Sequence, residues 1–287
     1  MENTERLDRV YTRLMRNHEG RALWHKVDPF DMEPGSVGYF DADGTWKLIV
    51  HLLDDNFPCG CWAHLERAVE EPNSDEIVWG PKHSPHVWVS PRTPAARGLE
   101  TSVNIRLDEG HERGAVLLTE PPITREAVTD DKPLVHWFAQ NADKILKNWG
   151  KKLNDHGLWI VTKTYATRRC IISLLQSQDS ELAIALRVDE SGCLTLTRHP
   201  EWSRANGQVT QVMYQDEDGV VVFMGGVYIT KETLSERLEA EERRKKQKMF
   251  RGEGGSGDGE DEQHFTIRAT DVDGSEALLS IKRFDSP

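Results

Sequence analysis

An α+β fold, with helices set around a mainly antiparallel sheet, is what this sequence predicts. Three observations carry that expectation. Residues 181–189 alternate, with Leu182, Ile184, Leu186 and Val188 on one side and Glu181, Ala183, Ala185, Arg187 and Asp189 on the other. That is the period-2 pattern of a strand with one apolar face. Residues 132–153 instead place Leu134, Phe138, Asn141, Ile145 and Trp149 at helical spacing, the mark of an amphipathic helix. Short Asp- and Gly-containing segments separate several of the other apolar runs, as hairpins require.

Taken in order, residues 4–16 predict a first helix, with Leu7, Val10, Tyr11 and Leu14 on one stripe and Arg6, Arg9, Arg13 and Arg16 on another side. Glu2, Glu5, Asp8 and Glu19 nearly balance those arginines, so a solvated surface helix and an anionic-lipid contact are both open. A hairpin follows over Ser36–Val50, with Pro34-Gly35 as its opening turn and Asp41-Ala42-Asp43-Gly44 at its tip,. Residues 58–72 predict a short helix, and 77–119 predict strands broken by Pro and Gly. There Val103, Ile105 and Leu107 alternate with Asn104, Arg106 and Asp108. The helix over 132–153 takes Asp131 as N-cap and Pro133 in its first turn. Lys144, Lys147, Lys151 and Lys152 gather on its second face.

Long strands are expected across 157–198 and an apolar one over Val220–Ile229. A charged helix over 230–251 opens with Thr233-Leu234-Ser235-Glu236, which has capping-box spacing, and ends in six basic residues at 243–251. Residues 252–263 read as a flexible acidic linker, and 264–287 as a small hairpin. From 252 to 287 there are nine acids against three bases, a net charge of −6, half of the chain's −12. Removing that tail would leave the rest less repelled by an anionic surface and would uncover the basic end at 243–251.

With 287 residues, the chain can bury a core as one large domain or two small ones. No run of 18 apolar residues encodes a transmembrane helix, and the charged first residues lack the apolar core of a secretory signal. Cys59, Cys61, Cys170 and Cys193 are too few and too scattered for a disulfide framework, which suits a reducing compartment. The net charge of −12 argues against nucleic acid as a partner and leaves any attraction to phosphate or lipid local.

Catalytic and metal motifs are weak. Cys59-x-Cys61-x-x-His64 lacks the spacing and second ligand pair of a zinc site, and His83, His86 and His111 read as surface residues. Asp41–Gly44, Asp216–Gly219 and Asp271–Gly274 fall short of a calcium loop and suit turns. No nucleophile elbow, phosphate loop or dinucleotide fingerprint occurs. No cofactor and no metal are expected, and the chain does not read as an enzyme.

The order of elements resembles the gasdermins, especially their short fungal members. Four stretches carry the resemblance. The first is the N-terminal basic helix followed by Pro34-Gly35-Ser36-Val37-Gly38-Tyr39-Phe40 and Gly44-Thr45-Trp46. The second is the helix end at Trp149–Leu153 leading into Gly157-Leu158-Trp159-Ile160-Val161-Thr162-Lys163-Thr164-Tyr165. The third is Val220–Val227, and the fourth is the charged helix with its short tail.

The resemblance implies a twisted sheet that serves as a pore-forming cell-death effector, held in the cytoplasm until activated and then at the plasma membrane. It implies acidic membrane lipids as partners, self-assembly into rings, and release by a protease or an allelic partner protein. It divides the chain into a pore-forming domain (1–251), the linker (252–263) and an inhibitory tail (264–287). Membrane hairpins would fall in 82–119 and 157–198, with Val103, Ile105, Leu107, Leu182, Ile184, Leu186 and Val188 toward lipid and Arg187 toward the lumen. Arg6, Arg9, Arg13, Arg16, Lys144, Lys147, Lys151 and Lys152 would bind lipid, with Arg168 and Arg169 as additions. The rival readings are a soluble lipid-binding or regulatory module that does not insert, and an enzyme with a cryptic site.

Overall fold

A computed structural model of the chain describes residues 5–16, 20–52, 86–89, 102–106, 113–120, 123–128, 130–177, 181–188, 194–196, 203–231, 265–270 and 273–284. In chain order the elements are α1 (Leu7–Leu14), β1 (Arg21–Ala22), β2 (Ser36–Phe40), β3 (Trp46–His51), β4 (His86–Val89), β5 (Ser102–Arg106), β6 (Gly114–Thr119) and β7 (Ile123–Ala127). Then come α2 (Lys132–His156), β8 (Leu158–Leu175), β9 (Glu181–Val188), β10 (Leu194–Leu196), β11 (Ser203–Asn206), β12 (Val209–Lys231), β13 (Phe265–Thr270) and β14 (Glu276–Phe284). The predicted helix over 58–72, residues 232–251 of the predicted helix over 230–251, the linker, Leu107, His83, His111 and the Cys59–His64 cluster lie outside the described residues, while Thr230 and Lys231 are the end of β12 rather than the start of a helix.

The class is α+β, and every strand pairing among the described residues is antiparallel. A ten-stranded sheet is built on β8 and β12, and a four-stranded sheet on β9. β8 and β12 pair from Leu158↔Ile229 to Leu175↔Val209. Most of β8 is buried, because different side chains cover each of its faces. That produces a near-continuous apolar run rather than alternation. The free edge of β8 takes β2, β7 and β6 one after another. The far edge of β12 takes β1 and β14.

Asp216–Gly219 turns out to be a bulge inside one long strand rather than a turn before a short one, with the register shifting between Gln215 and Val220,. Asp218 N–H donates to Asp216 Oδ1 at 3.0 Å, and Gly219 takes φ +106°. Lys26 pairs with Asp216 and ties the bulge to the loop after β1.

α2 covers one side of the sheet. Leu134, Trp137, Phe138, Ala142, Ile145, Leu146 and Leu153 pack on Leu158, Ile160, Val227 and Ile229. Asn141, the polar gap in the predicted stripe, is buried and donates from Nδ2 to the Trp137 carbonyl at 2.8 Å. Capping differs from expectation. Asp131 is itself αR and makes no capping bond; Asp130 Oδ1 accepts from Lys132 N–H at 3.0 Å instead. α1 lies over the other half of the spine, with Val10, Tyr11 and Met15 against Leu117, Tyr165, Cys170 and Phe223. On the face opposite α2, Trp159 and Val161 pack with Phe40, Trp46 and Met224. Arg21 lies over the Phe40 ring at 4.3 Å, and burial lowers its pKa from the ordinary arginine value.

α2 hands over to β8 at Gly157, whose φ of 71° and ψ of 170° belong to a region that only glycine occupies without strain. A Cβ there would sit 2.4 Å from the Tyr228 ring, whose hydroxyl donates to the His156 carbonyl at 3.1 Å. Gly157→Ala is expected to lower stability by about 1–3 kcal/mol, read as the shift of a urea unfolding midpoint. An unchanged midpoint would mean that the junction adapts freely.

Candidate functional site

The candidate site is the four-stranded sheet, because its register sorts every described residue onto one of two contrasting faces. Residues directly opposite in an antiparallel pair share a face. β9 pairs β5 with Val103↔Ile184 and Ile105↔Leu182, and it pairs β10 with Leu194↔Val188 and Leu196↔Leu186. β11 adds Ser203↔Ile184 and Ala205↔Leu182. The apolar positions of separate strands therefore coincide on one face. The opposite face carries Ser102, Asn104, Arg106, Glu181, Ala183, Ala185, Arg187, Thr195, Arg204 and Asn206.

In this structure residues 157–198 do not pair among themselves as a single hairpin. β8 and β9 do not pair with each other; β8 pairs with β12, and β9 with β10 and β11. The described partner of 158–175 is 209–231, which lies beyond residue 198. Instead of β8, β9 meets β5 and β11, whose chain neighbours β6 and β12 pair with β8.

The basic residues fall in different settings. Arg6 pairs with Asp8 at 3.0 Å and reaches Asp43 at 3.9 Å. Arg13 holds Glu5 with two bonds, at 2.6 and 2.9 Å. Arg9 and Arg16 are exposed. On α2, Lys144, Lys147, Lys151 and Lys152 all face solvent, and Lys152 Nζ lies 5.4 Å from the Tyr39 ring centroid. Arg168 is exposed. Arg169, expected to reach lipid, is 3% exposed and pairs with Glu120 at 3.3 Å. It is a buried sheet residue because its neighbours on β6 and β12 cover that position.

Sequence reading missed how the C-terminal hairpin is seated. β14 adds to the edge of β12 from Gly226↔Phe284 to Lys231↔Leu279. Ala269, Ala277, Leu279 and Ile281 join the α2 core. Phe284 packs on Trp159 and Tyr228, with ring centroids 4.9 and 6.0 Å apart. Two polar clamps bind the hairpin to α2: Arg283 to Asp131 at 2.6 Å, and Thr270 N–H to Asp143 Oδ1 at 2.6 Å. At the hairpin's turn, hydrogen bonds from the Ser275 hydroxyl and N–H hold the Asp273 carboxyl below its usual pKa. The signal in sequence was the apolar alternation of Ala277, Leu279 and Ile281.

One cluster resembles a hydrolytic relay. Ser36 Oγ lies 3.0 Å from His51 Nδ1, and Glu33 Oε1 lies 3.4 Å from the same nitrogen. A relay needs serine and carboxylate on opposite ring nitrogens. Here both address Nδ1, and Ser36 Oγ also accepts Glu33 N–H at 3.0 Å, so the cluster fixes a turn. Among the described residues no three His, Cys, Asp or Glu side chains gather as a metal site. No described helix is long and apolar enough to cross a membrane; strands are a separate matter.

Cys170 is a free, fully buried cysteine beneath α1. In a background with the other three cysteines changed to serine, a thiol reagent is expected to leave native Cys170 unlabelled. Labelling should begin only when β8 separates from α1, a change followed by mass spectrometry. Rapid labelling of the resting protein would contradict the packing described.

No family model matches the chain, and no curated protein sequence does. Among solved structures the chain is similar to a bacterial gasdermin from Bradyrhizobium tropiciagri. The two are 12% identical, covering 73% of this chain and 81% of that one, with a TM-score of 0.23. An overlay that loose carries no statement about activity.

Proposed function

We propose that this chain is a gasdermin-like pore former, stored with its membrane strands folded into a sheet and its C-terminal hairpin closing an edge. The observation that supports this most is the sorting of the four-stranded sheet into an apolar and a polar face. A membrane-crossing strand needs about 9–11 residues of such alternation. The stretches 158–188 and 194–231 supply the length. Strands closed into a ring leave no edge unsatisfied in hydrocarbon, which makes further copies of this chain the natural partner.

Release of β14, by a protease or a partner protein acting between β12 and β13, frees the β12 edge at 226–231. The lysine face of α2, together with Arg9 and Arg16, then holds the protein to acidic lipid. On this reading the resting protein is cytoplasmic and the assembled form is at the plasma membrane. A soluble lipid-binding module would use the same lysines without inserting.

The test uses full-length protein with a protease site placed within 252–263, folded intact and then cut beside dye-loaded phosphatidylserine vesicles. Leakage is expected after cutting and not before. Binding without leakage would favour the soluble module, and neither would end the pore reading. At about 1 kcal/mol per lysine near an anionic surface, Lys144→Gln/Lys147→Gln/Lys151→Gln should weaken vesicle binding roughly 100-fold. Because these side chains are exposed, stability should move by no more than about 0.5 kcal/mol.

A further inference from the structure

We infer that α1 is a strap that lifts from the sheet before the strands are rebuilt, and that the Tyr11 hydroxyl sets how often it lifts. The lifting stands on the resting structure alone; its place ahead of membrane insertion rests on the pore reading above. Tyr11 is 0% exposed, with its ring edge-on to Trp24 at 5.5 Å between centroids. Its hydroxyl is buried and has no hydrogen-bond partner. Burial holds the phenol well above its ordinary pKa, so the orphan is a neutral O–H at any working pH. An unpaired buried hydroxyl carries a cost that an apolar group of the same shape does not. Lifting the helix returns that hydroxyl to water and recovers the cost, which biases the closed state toward opening.

Among the described residues, little else fastens α1. The helix has eight residues and no side-chain cap at its start, and a helix that short does not hold together alone in water. Thr12 Oγ1 donates to the Ala22 carbonyl at 3.0 Å. The outer ties are surface ion pairs, Glu5 to Arg113 at 3.3 Å and Arg6 to Asp43 at 3.9 Å, a class that contributes little. What holds the helix is burial of Val10, Tyr11 and Met15, which share a core with Leu117 of β6, Cys170 and Ile172 of β8, and Val222 of β12. On the pore reading those three strands belong to the stretches that are rebuilt for the membrane. While α1 stays down, it pins all three from one side.

The experiment follows Cys170, which α1 covers, in full-length uncut protein with the other three cysteines changed to serine. N-ethylmaleimide labelling is read by mass spectrometry over long exposure. A rate proportional to reagent concentration reports the lifted fraction. A rate nearly flat in low urea marks a local opening, since little surface is exposed. Tyr11→Phe is expected to slow labelling about five- to tenfold, the low end of what an unpaired buried hydroxyl implies. Tyr11→Ala, which loses the packing as well, should speed it. After cutting within 252–263 beside phosphatidylserine–phosphatidylcholine vesicles, Tyr11→Phe should delay dye release by the same factor, because every later step draws on the lifted population. Labelling that climbs steeply with urea, or that Tyr11→Phe leaves unchanged, overturns the inference. So does slowed labelling with unchanged leakage, and in each case the pore reading stands. No leakage from any cut protein ends the pore reading and the timing drawn from it, while the labelling still decides whether α1 lifts.

Discussion

Ile281→Asp is expected to detach the C-terminal hairpin and to make the full-length protein leak vesicles without proteolysis. Ile281 is 0% exposed, pairs with Ile229 on one side and Phe265 on the other, and sits in the core beneath α2. A carboxylate there has no partner in its apolar surroundings, a change worth about 4 kcal/mol or more. The chain has two ways to relieve that cost, global unfolding or release of β13 and β14 alone. Release alone gives up much less buried surface. Limited proteolysis should therefore cut the C-terminal strands while β8 and β12 remain protected. Arg268→Asp, on the outer strand with a side chain 78% exposed, should change neither behaviour. A well-protected hairpin in Ile281→Asp would refute the account of how that segment is held.

Glu120→Ala is expected to destabilise the resting fold by about 3 kcal/mol, because it removes the carboxylate paired with a buried arginine charge. The Arg169 side chain is 4% exposed, and Glu120 is reached at 3.3 Å. Replacing both, as Arg169→Met/Glu120→Leu, should recover most of that loss, since an apolar pair of similar volume often matches a buried ion pair. Urea unfolding of the two single variants and the double variant gives the coupling directly. A double variant no more stable than Glu120→Ala would show that Arg169 draws its stability from elsewhere. On the pore reading the single variant should also leak sooner after cutting, because only the stored state is weakened.

Much of the fold was legible where one stretch of sequence decides its own geometry. The 36–50 hairpin was, because Asp41 Oδ1 accepts from Asp43 N–H and Thr45 N–H and Gly44 takes φ +76°, all within the turn. α2 was, because its stripe runs long enough for period 3.6 to stand out. The alternation over 181–189 matched a strand, β9. Alternation says which face a residue takes, however, and nothing about which strand lies beside it. That is why the pairing of β9 with β5, β10 and β11 could not be read from the alternation. β8 itself is covered on both faces and so carries no period along much of its length. Asp131 looked like a cap because caps are local; its actual partner, Arg283, lies 152 residues away. The arginines of α1 could be counted against nearby acids in sequence. Only geometry showed that Arg6 and Arg13 are each held by one of them.

The two outer neighbours of β12 come from opposite ends of the chain, β1 at 21–22 and β14 at 276–284. Translation therefore delivers the strand's edge long before the segment that closes it. At about 5–20 residues per second, the residues from 232 to 284 take roughly 3–10 s to make. For that interval a nascent chain presents the bare backbone at 226–231, an open template for any neighbouring strand. Chains crowded on one message would be the first strands within reach. Slow codons placed after residue 231 should raise the yield of aggregated protein, and a chaperone that covers exposed strand edges should matter most during that interval.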